Sequence, residues 1–220
     1  MSRTTAYELP LVDVERKPGG AGGDPLAFRT IRGDIVGRYH PVGGGLATRA
    51  VVLIPGLAGG LGGPAHGLYE TLASDLRAAG VEALRLDYRR VSKLEECVRD
   101  AVVGTHWLAR ERGIERIAVL GHGFGGAVAI TAGVAADEVA AVAALSAPIA
   151  GTEAVAWLGK PLFLGHGEQD EVEPSNAVER LADRAAGEVT CRIYPGARHD
   201  LGECRTEVAA DLMAWIDEHL

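Results

Sequence analysis

The chain has 220 residues, 47% of them hydrophobic and 24% charged, enough to bury the core of one ordinary globular domain. Its formal charge of -8 argues against a surface for nucleic acid or anionic membrane, which needs clustered lysine and arginine, and the densest basic patch, RLDYRR at Arg85 to Arg90, is short. Cys97, Cys191 and Cys204 are an odd number at spacings that match no zinc motif, so a reducing compartment and buried, small-hydrophobe roles are expected for them.

The N-terminal stretch MSRTTAYELPLV lacks the apolar core of a signal peptide, and no run approaches the about 18 uninterrupted apolar residues of a membrane helix, so a cytoplasmic protein is expected. Over the first fifty residues AYELPLVDV and LAFRTIRGDIVGRYH alternate apolar and polar positions around the breakers KPGGAGGDP and PVGGG, a pattern of antiparallel strands joined by turns. From Ala50 onward the apolar runs change character. AVVLIP, VEALRLD, RIAVLG, VAAVAALSAP, PLFLGHG and VTCRIYPG are short and nearly free of alternation, as strands buried on both faces are.

Amphipathic helices separate these runs. Leu94, Cys97, Val98, Ala101, Val102 and Leu108 share one helical face, Val178, Leu181, Ala182 and Ala185 repeat the spacing, and Val208, Leu212, Trp215 and Ile216 mark a closing helix. Ser92, with Glu95 three residues on, has the capping-box pattern. The alternation predicts an α/β fold: a mostly parallel central sheet with helices on both faces, led by antiparallel strands, in a single domain over residues 1–220. The connection from Ile149 to Lys160 is too short for a helical cap, so an open cleft is expected at the strand ends.

The stretch IAVLGHGFGGAVAI, Ile117 to Ile130, reads as strand, tight turn and helix, and its glycines fit two patterns. Gly121, Gly123 and Gly126 match G-x-G-x-x-G, the phosphate-binding turn of dinucleotide enzymes. That chemistry needs an acid about 20 residues on, at the end of the next strand, to hold the ribose. The next strand ends in LSAP, and Asp137 and Glu138 precede it, at its wrong end. The second pattern is the G-x-S-x-G elbow, with Gly123 where the serine belongs. An elbow needs small residues around the turn, which Gly121, Gly125 and Gly126 supply, and then an acid and a histidine, each past a later strand. Asp170 in PLFLGHGEQDEVEP and His199 in CRIYPGARHDL stand in that order.

On these motifs the chain resembles the α/β-hydrolase family, of the small lidless serine-hydrolase and esterase type, over nearly its whole length. GHGFGG is similar to the family's elbow, HGEQDEVEP to its acid turn, PGARH to its histidine turn, and IPGLAGG to the loop that lends an oxyanion donor. The resemblance implies ester, thioester or similar acyl hydrolysis of a small-molecule substrate. His199 would be the base, Asp170 would hold its tautomer, and the backbone N–H groups of Leu57 and Phe124 would bind the oxyanion. No cofactor or metal is implied, since His66, His122 and His166 lack ligand spacing and by default pack or bond to backbone.

Gly123 has no side chain to attack with, so ordinary acyl-enzyme catalysis is excluded. Glycine at an elbow with φ > 0 also relieves strain of about 1–3 kcal/mol. Ser146, in ALSAP, lies near the cleft but reads as a turn cap, and Cys97 and Cys191 read as core. Two outcomes stay open: His199 and Asp170 activating a water, or a non-catalytic protein that binds small molecules or serves as a scaffold in the same cleft.

Overall fold

Glycine and proline clusters break the first forty residues into β1 (Leu11–Arg16), β2 (Asp24–Thr30) and β3 (Gly33–His40), which pair antiparallel in sequence order. A computed structural model of the protein describes residues 7–44, 47–91, 93–174 and 176–220; Ser92, read above as a helix cap, lies outside them. The apolar runs that follow form β4 (Arg49–Ile54), β5 (Glu82–Asp87), β6 (Arg116–His122), β7 (Val139–Leu145), β8 (Leu162–Gly167) and β9 (Val189–Tyr194). The nine strands make one sheet in the order β1-β2-β3-β5-β4-β6-β7-β8-β9. All pairs from β5 to β9 are parallel, and β3 joins β5 antiparallel.

The chain steps from β4 outward to β5, then returns to the other side of β4 for β6. Loops leaving the carboxyl ends of β4 and β6 therefore diverge, and the crevice between them is where an open α/β sheet binds its ligands. Two apolar layers sandwich the sheet. On one face α2 (Leu94–Arg112), α3 (Phe124–Ala135) and α4 (Ala177–Ala182) pack through Cys97, Val98, Ala101, Val128, Ile130 and Leu181. On the other, α1 (Pro64–Ala78) and α5 (Arg205–His219) pack through Leu68, Leu72, Leu76, Val208, Leu212, Trp215 and Ile216. No described helix is long and apolar enough to cross a membrane.

Two expectations are corrected. β9 is not buried on both faces: Cys191, Arg192 and Ile193 are exposed, because β9 is the last strand of the sheet and has a neighbour on one side only. Cys191 is thus no core residue, and Cys204 is half-buried; of the three cysteines only Cys97 lies in the core. The connection from β7 to β8 carries a short 3-10 turn, Glu153–Trp157, whose Val155 is buried.

Arg85, on β5, is buried and works as a clasp beside the crevice. It donates to the carbonyls of Gly22 and Leu61, to Glu70 Oε1, and from Nε to His40 Nε2 at 3.1 Å. Burial, and then the Arg85 cation, push the His40 imidazole down to about 4. The unfolded chain takes up this proton as pH falls through 6.5 while the folded chain resists until about 4, so the stabilisation is complete above 6.5 and lost on the way down. At about 1.4 kcal/mol per tenfold in proton affinity, the loss attributable to His40 is about 3 kcal/mol. Guanidinium unfolding at pH 7 and pH 4 should show a pH-dependent loss that shrinks by that amount in His40→Gln. An unchanged loss would mean that His40 carries none of it.

Candidate active site

β6 runs directly into α3, with Gly123 as the single residue between strand and helix, at φ 54° and ψ -124°. Its N–H donates to the Leu145 carbonyl at 2.8 Å, and its own carbonyl accepts from Gly126 at 2.8 Å. Glycines make so sharp a reversal possible. A Cβ on Gly121 would stand 1.9 Å from the Gly125 carbonyl oxygen, one on Gly125 2.4 Å from the Pro55 oxygen, and one on Gly126 2.8 Å from the Ala147 Cβ. The loop after β4 is fastened from below by two buried phenols, Tyr69 donating to the Ile54 carbonyl at 2.9 Å and Tyr88 to the Pro55 carbonyl at 2.8 Å.

Asp170 follows β8 and His199 follows β9, both at carboxyl ends of parallel strands. The structure brings them together: His199 Nδ1 is 2.9 and 3.0 Å from the two Asp170 oxygens. The Asp170 side chain is fully buried, while that of His199 is 21% exposed and so open to the cleft. Burial works to raise the Asp170 carboxyl, but the N–H groups of Glu173 and Val172 and the His199 imidazole outweigh it and hold it below the ordinary range. A carboxylate only accepts, so His199 Nδ1 carries the hydrogen and Nε2 is left as the basic nitrogen. That Nε2 lies 3.3 Å from the point where a Cβ on Gly123 would stand.

A cleft of about 400 Å³ opens over these residues, walled by Pro55 to Gly59, Gly63, Pro64, His122 to Phe124, Pro148, Val172, Glu173, His199 and Asp200. Leu57 and Phe124, named above as oxyanion donors, both line it. Phe124 begins α3, so the positive end of that helix lies at the cleft. Among the described residues, no group of three or more His, Cys, Asp or Glu is placed to share a metal ion.

Several supporting groups were not assigned such roles from the sequence. His166 is buried, and its Nε2 lies 3.3 Å from Asp170 and 3.3 Å from the Glu173 carbonyl. His122 Nε2 and Ser146 Oγ both bond to the His199 carbonyl, at 2.8 and 2.9 Å. Ser146 is therefore spent on fixing the histidine loop and does not act as a turn cap. The i, i+4 spacing of His166 and Asp170 was visible in the sequence, whereas nothing local links His122 or Ser146 to residue 199.

Comparison with known proteins bears on the family and the fold. The family model for the dienelactone hydrolase family matches residues 69–215. No curated protein matches the chain. Among solved structures, dienelactone hydrolase from Anabaena variabilis superimposes with a TM-score of 0.77 at 18% identity, covering 95% of this chain and 100% of the other. Est1E from Butyrivibrio proteoclasticus gives 0.78 at 16% identity, covering 89% and 98%. An α/β serine hydrolase without a lid from Xanthomonas campestris gives 0.70 at 17% identity, covering 96% and 98%. At these identities the structural matches speak for the fold alone.

Proposed function

This chain belongs to the dienelactone hydrolase family, and from that premise we propose that its cleft takes small acyl compounds, esters or thioesters, with Gly123 standing at the nucleophile position. The observation that carries the reading is the approach of His199 Nε2 to within 3.3 Å of the Gly123 Cβ point, at a backbone turn with φ 54°. A base aimed at one residue of a strand-to-helix elbow is the arrangement by which a hydroxyl or thiol is activated. Asp170 supports the ring from behind, and the N–H groups of Leu57 and Phe124 serve the developing oxyanion.

With glycine at that position no acyl-enzyme forms. In a serine protease, loss of the serine alone costs about 10⁶-fold in turnover and leaves about 10³ to 10⁴ over water from the remaining groups. The same loss is expected here, and the cleft retains binding and general-base competence. Restoring a hydroxyl tests this directly. Gly123→Ser obliges the His199 ring to give by a few tenths of an ångström, since a Cβ contact of 3.3 Å is tight.

The variant should hydrolyse p-nitrophenyl acetate at least about 100-fold faster than the parent protein, with a burst and with labelling by a fluorophosphonate. A Gly123→Ser protein that folds normally yet shows neither burst nor label would overturn the acyl-hydrolase reading and favour a binding or scaffolding protein.

A further inference from the structure

His122 ends β6, immediately before the elbow, and is 9% exposed, forming part of the cleft wall. Its Nε2 is 2.8 Å from the His199 carbonyl oxygen. A carbonyl oxygen only accepts, so in the neutral ring Nε2 carries the hydrogen and Nδ1 carries a lone pair. Burial holds the ring below the ordinary histidine range; its bond to the His199 carbonyl works the other way and the neighbouring His199 ring adds to the lowering. Nδ1 lies 3.6 Å from the point where a Cβ on Gly56 would stand, and Gly56 walls the same cleft as Gly123. His199 presents its own lone pair at Nε2, because its Nδ1–H is committed to Asp170. The two ring centroids are 4.9 Å apart. Ring centres this close allow one water, with two hydrogen bonds of about 2.8 Å, to touch both rings.

Resting on the reading of the cleft as an acyl-compound site, we infer that the two imidazoles hold a water in the space beside Gly123 and that His122 orients it for attack on a bound ester. The water donates one O–H to His199 Nε2 and the other to His122 Nδ1, which leaves an oxygen lone pair free for the carbonyl carbon. As the new C–O bond forms, the first proton passes to His199 Nε2. Collapse of the tetrahedral adduct breaks the bond to the leaving alkoxide, which takes that proton back from His199. Acid and alcohol leave, and no bond to the protein is made. A serine side chain at 123 would fill the same space, so this use of His122 belongs to the glycine-bearing protein.

That dependence separates orientation of the water from support of the histidine loop. His122→Gln places an N–H at the reach of Nε2, keeping a donor for the His199 carbonyl, and sets no acceptor at the δ position. Initial rates with p-nitrophenyl acetate are to be measured for the parent, Gly123→Ser, and each combined with His122→Gln. The parent should exceed the buffer rate, and His122→Gln should lower it by about tenfold or more, a factor at least five times the loss it causes in Gly123→Ser.

Equal losses in the two backgrounds would reduce His122 to a support for the loop and overturn the inference, as would no loss in either. A parent no faster than buffer beside an active Gly123→Ser would also overturn it while leaving the acyl-site reading standing. Silence from both proteins would remove the two together. Should His122→Gln fail to fold, nitrogen-15 chemical shifts of the parent's His122 decide the matter. A neutral ring with a bare Nδ1 whose shift responds to ester binding supports the inference, and an Nδ1–H tautomer or an unresponsive ring overturns it.

Discussion

Gly121→Ala is expected to destabilise the protein by more than about 3 kcal/mol, since a Cβ there would make the closest approach of any among the described glycines. The Cβ would meet the Gly125 carbonyl oxygen at 1.9 Å and its carbon at 2.2 Å, and both are backbone atoms that cannot swing away. The helix behind them cannot retreat either, because Gly125 and Gly126 are themselves pressed against Pro55 and Ala147. For a chain of this size each kcal/mol lowers the melting temperature by about 2–4 °C, so a drop of some 6–12 °C is expected. Gly159→Ala is the control, since a Cβ there meets nothing within 4 Å. A Gly121→Ala protein that melts with the parent would show that strand and helix do not meet as closely as described.

In the Gly123→Ser background, Asp170→Asn should cut kcat by about 10⁴-fold, as the corresponding change does in a serine-protease triad, with a much smaller change in KM. The cause is tautomeric. Asp170 accepts from His199 Nδ1 at 2.9 Å, and an asparagine that turns its NH₂ toward the ring forces the hydrogen onto Nε2, where it blocks proton abstraction. The N–H groups of Val172 and Glu173 both donate to Oδ1 and still want an acceptor there, which leaves the NH₂ at the Oδ2 position, the one nearer His199 Nδ1. A loss below about tenfold, with circular dichroism unchanged, would remove Asp170 from the reaction.

Much of the fold was legible because its signals are local. Runs such as AVVLIP and RIAVLG announce strands by composition, and the helical spacing of Leu94, Cys97, Val98 and Ala101 needs no partner to be seen. The elbow, Asp170 and His199 were legible through order along the chain, because loops at one edge of a parallel sheet must converge. What failed depended on position in the sheet. VTCRIY has the composition of a central strand, and nothing in those six residues says that β9 has a neighbour on one side only. Cys191 was misplaced for the same reason. The bonds from His122 and Ser146 to the His199 carbonyl span 77 and 53 residues, so no local pattern could have carried them.

The cleft wall at Gly63 and Pro64 runs straight into a strained turn. The opening turn of α1 departs from helix, with Ala65, His66 and Gly67 at φ 51°, 53° and 96° in succession. It is held from the far end of the chain: the Ala65 N–H donates to the Asp200 carbonyl at 2.9 Å, and Arg205 reaches the carbonyls of His66 and Gly67. A left-handed run costs side-chain-bearing residues about 1–2 kcal/mol each, so it persists only while those bonds hold it. The loop bearing His199 is thereby bolted to the first helix before anything arrives. This side of the cleft is accordingly set in advance, because opening its wall would mean releasing the bolt as well.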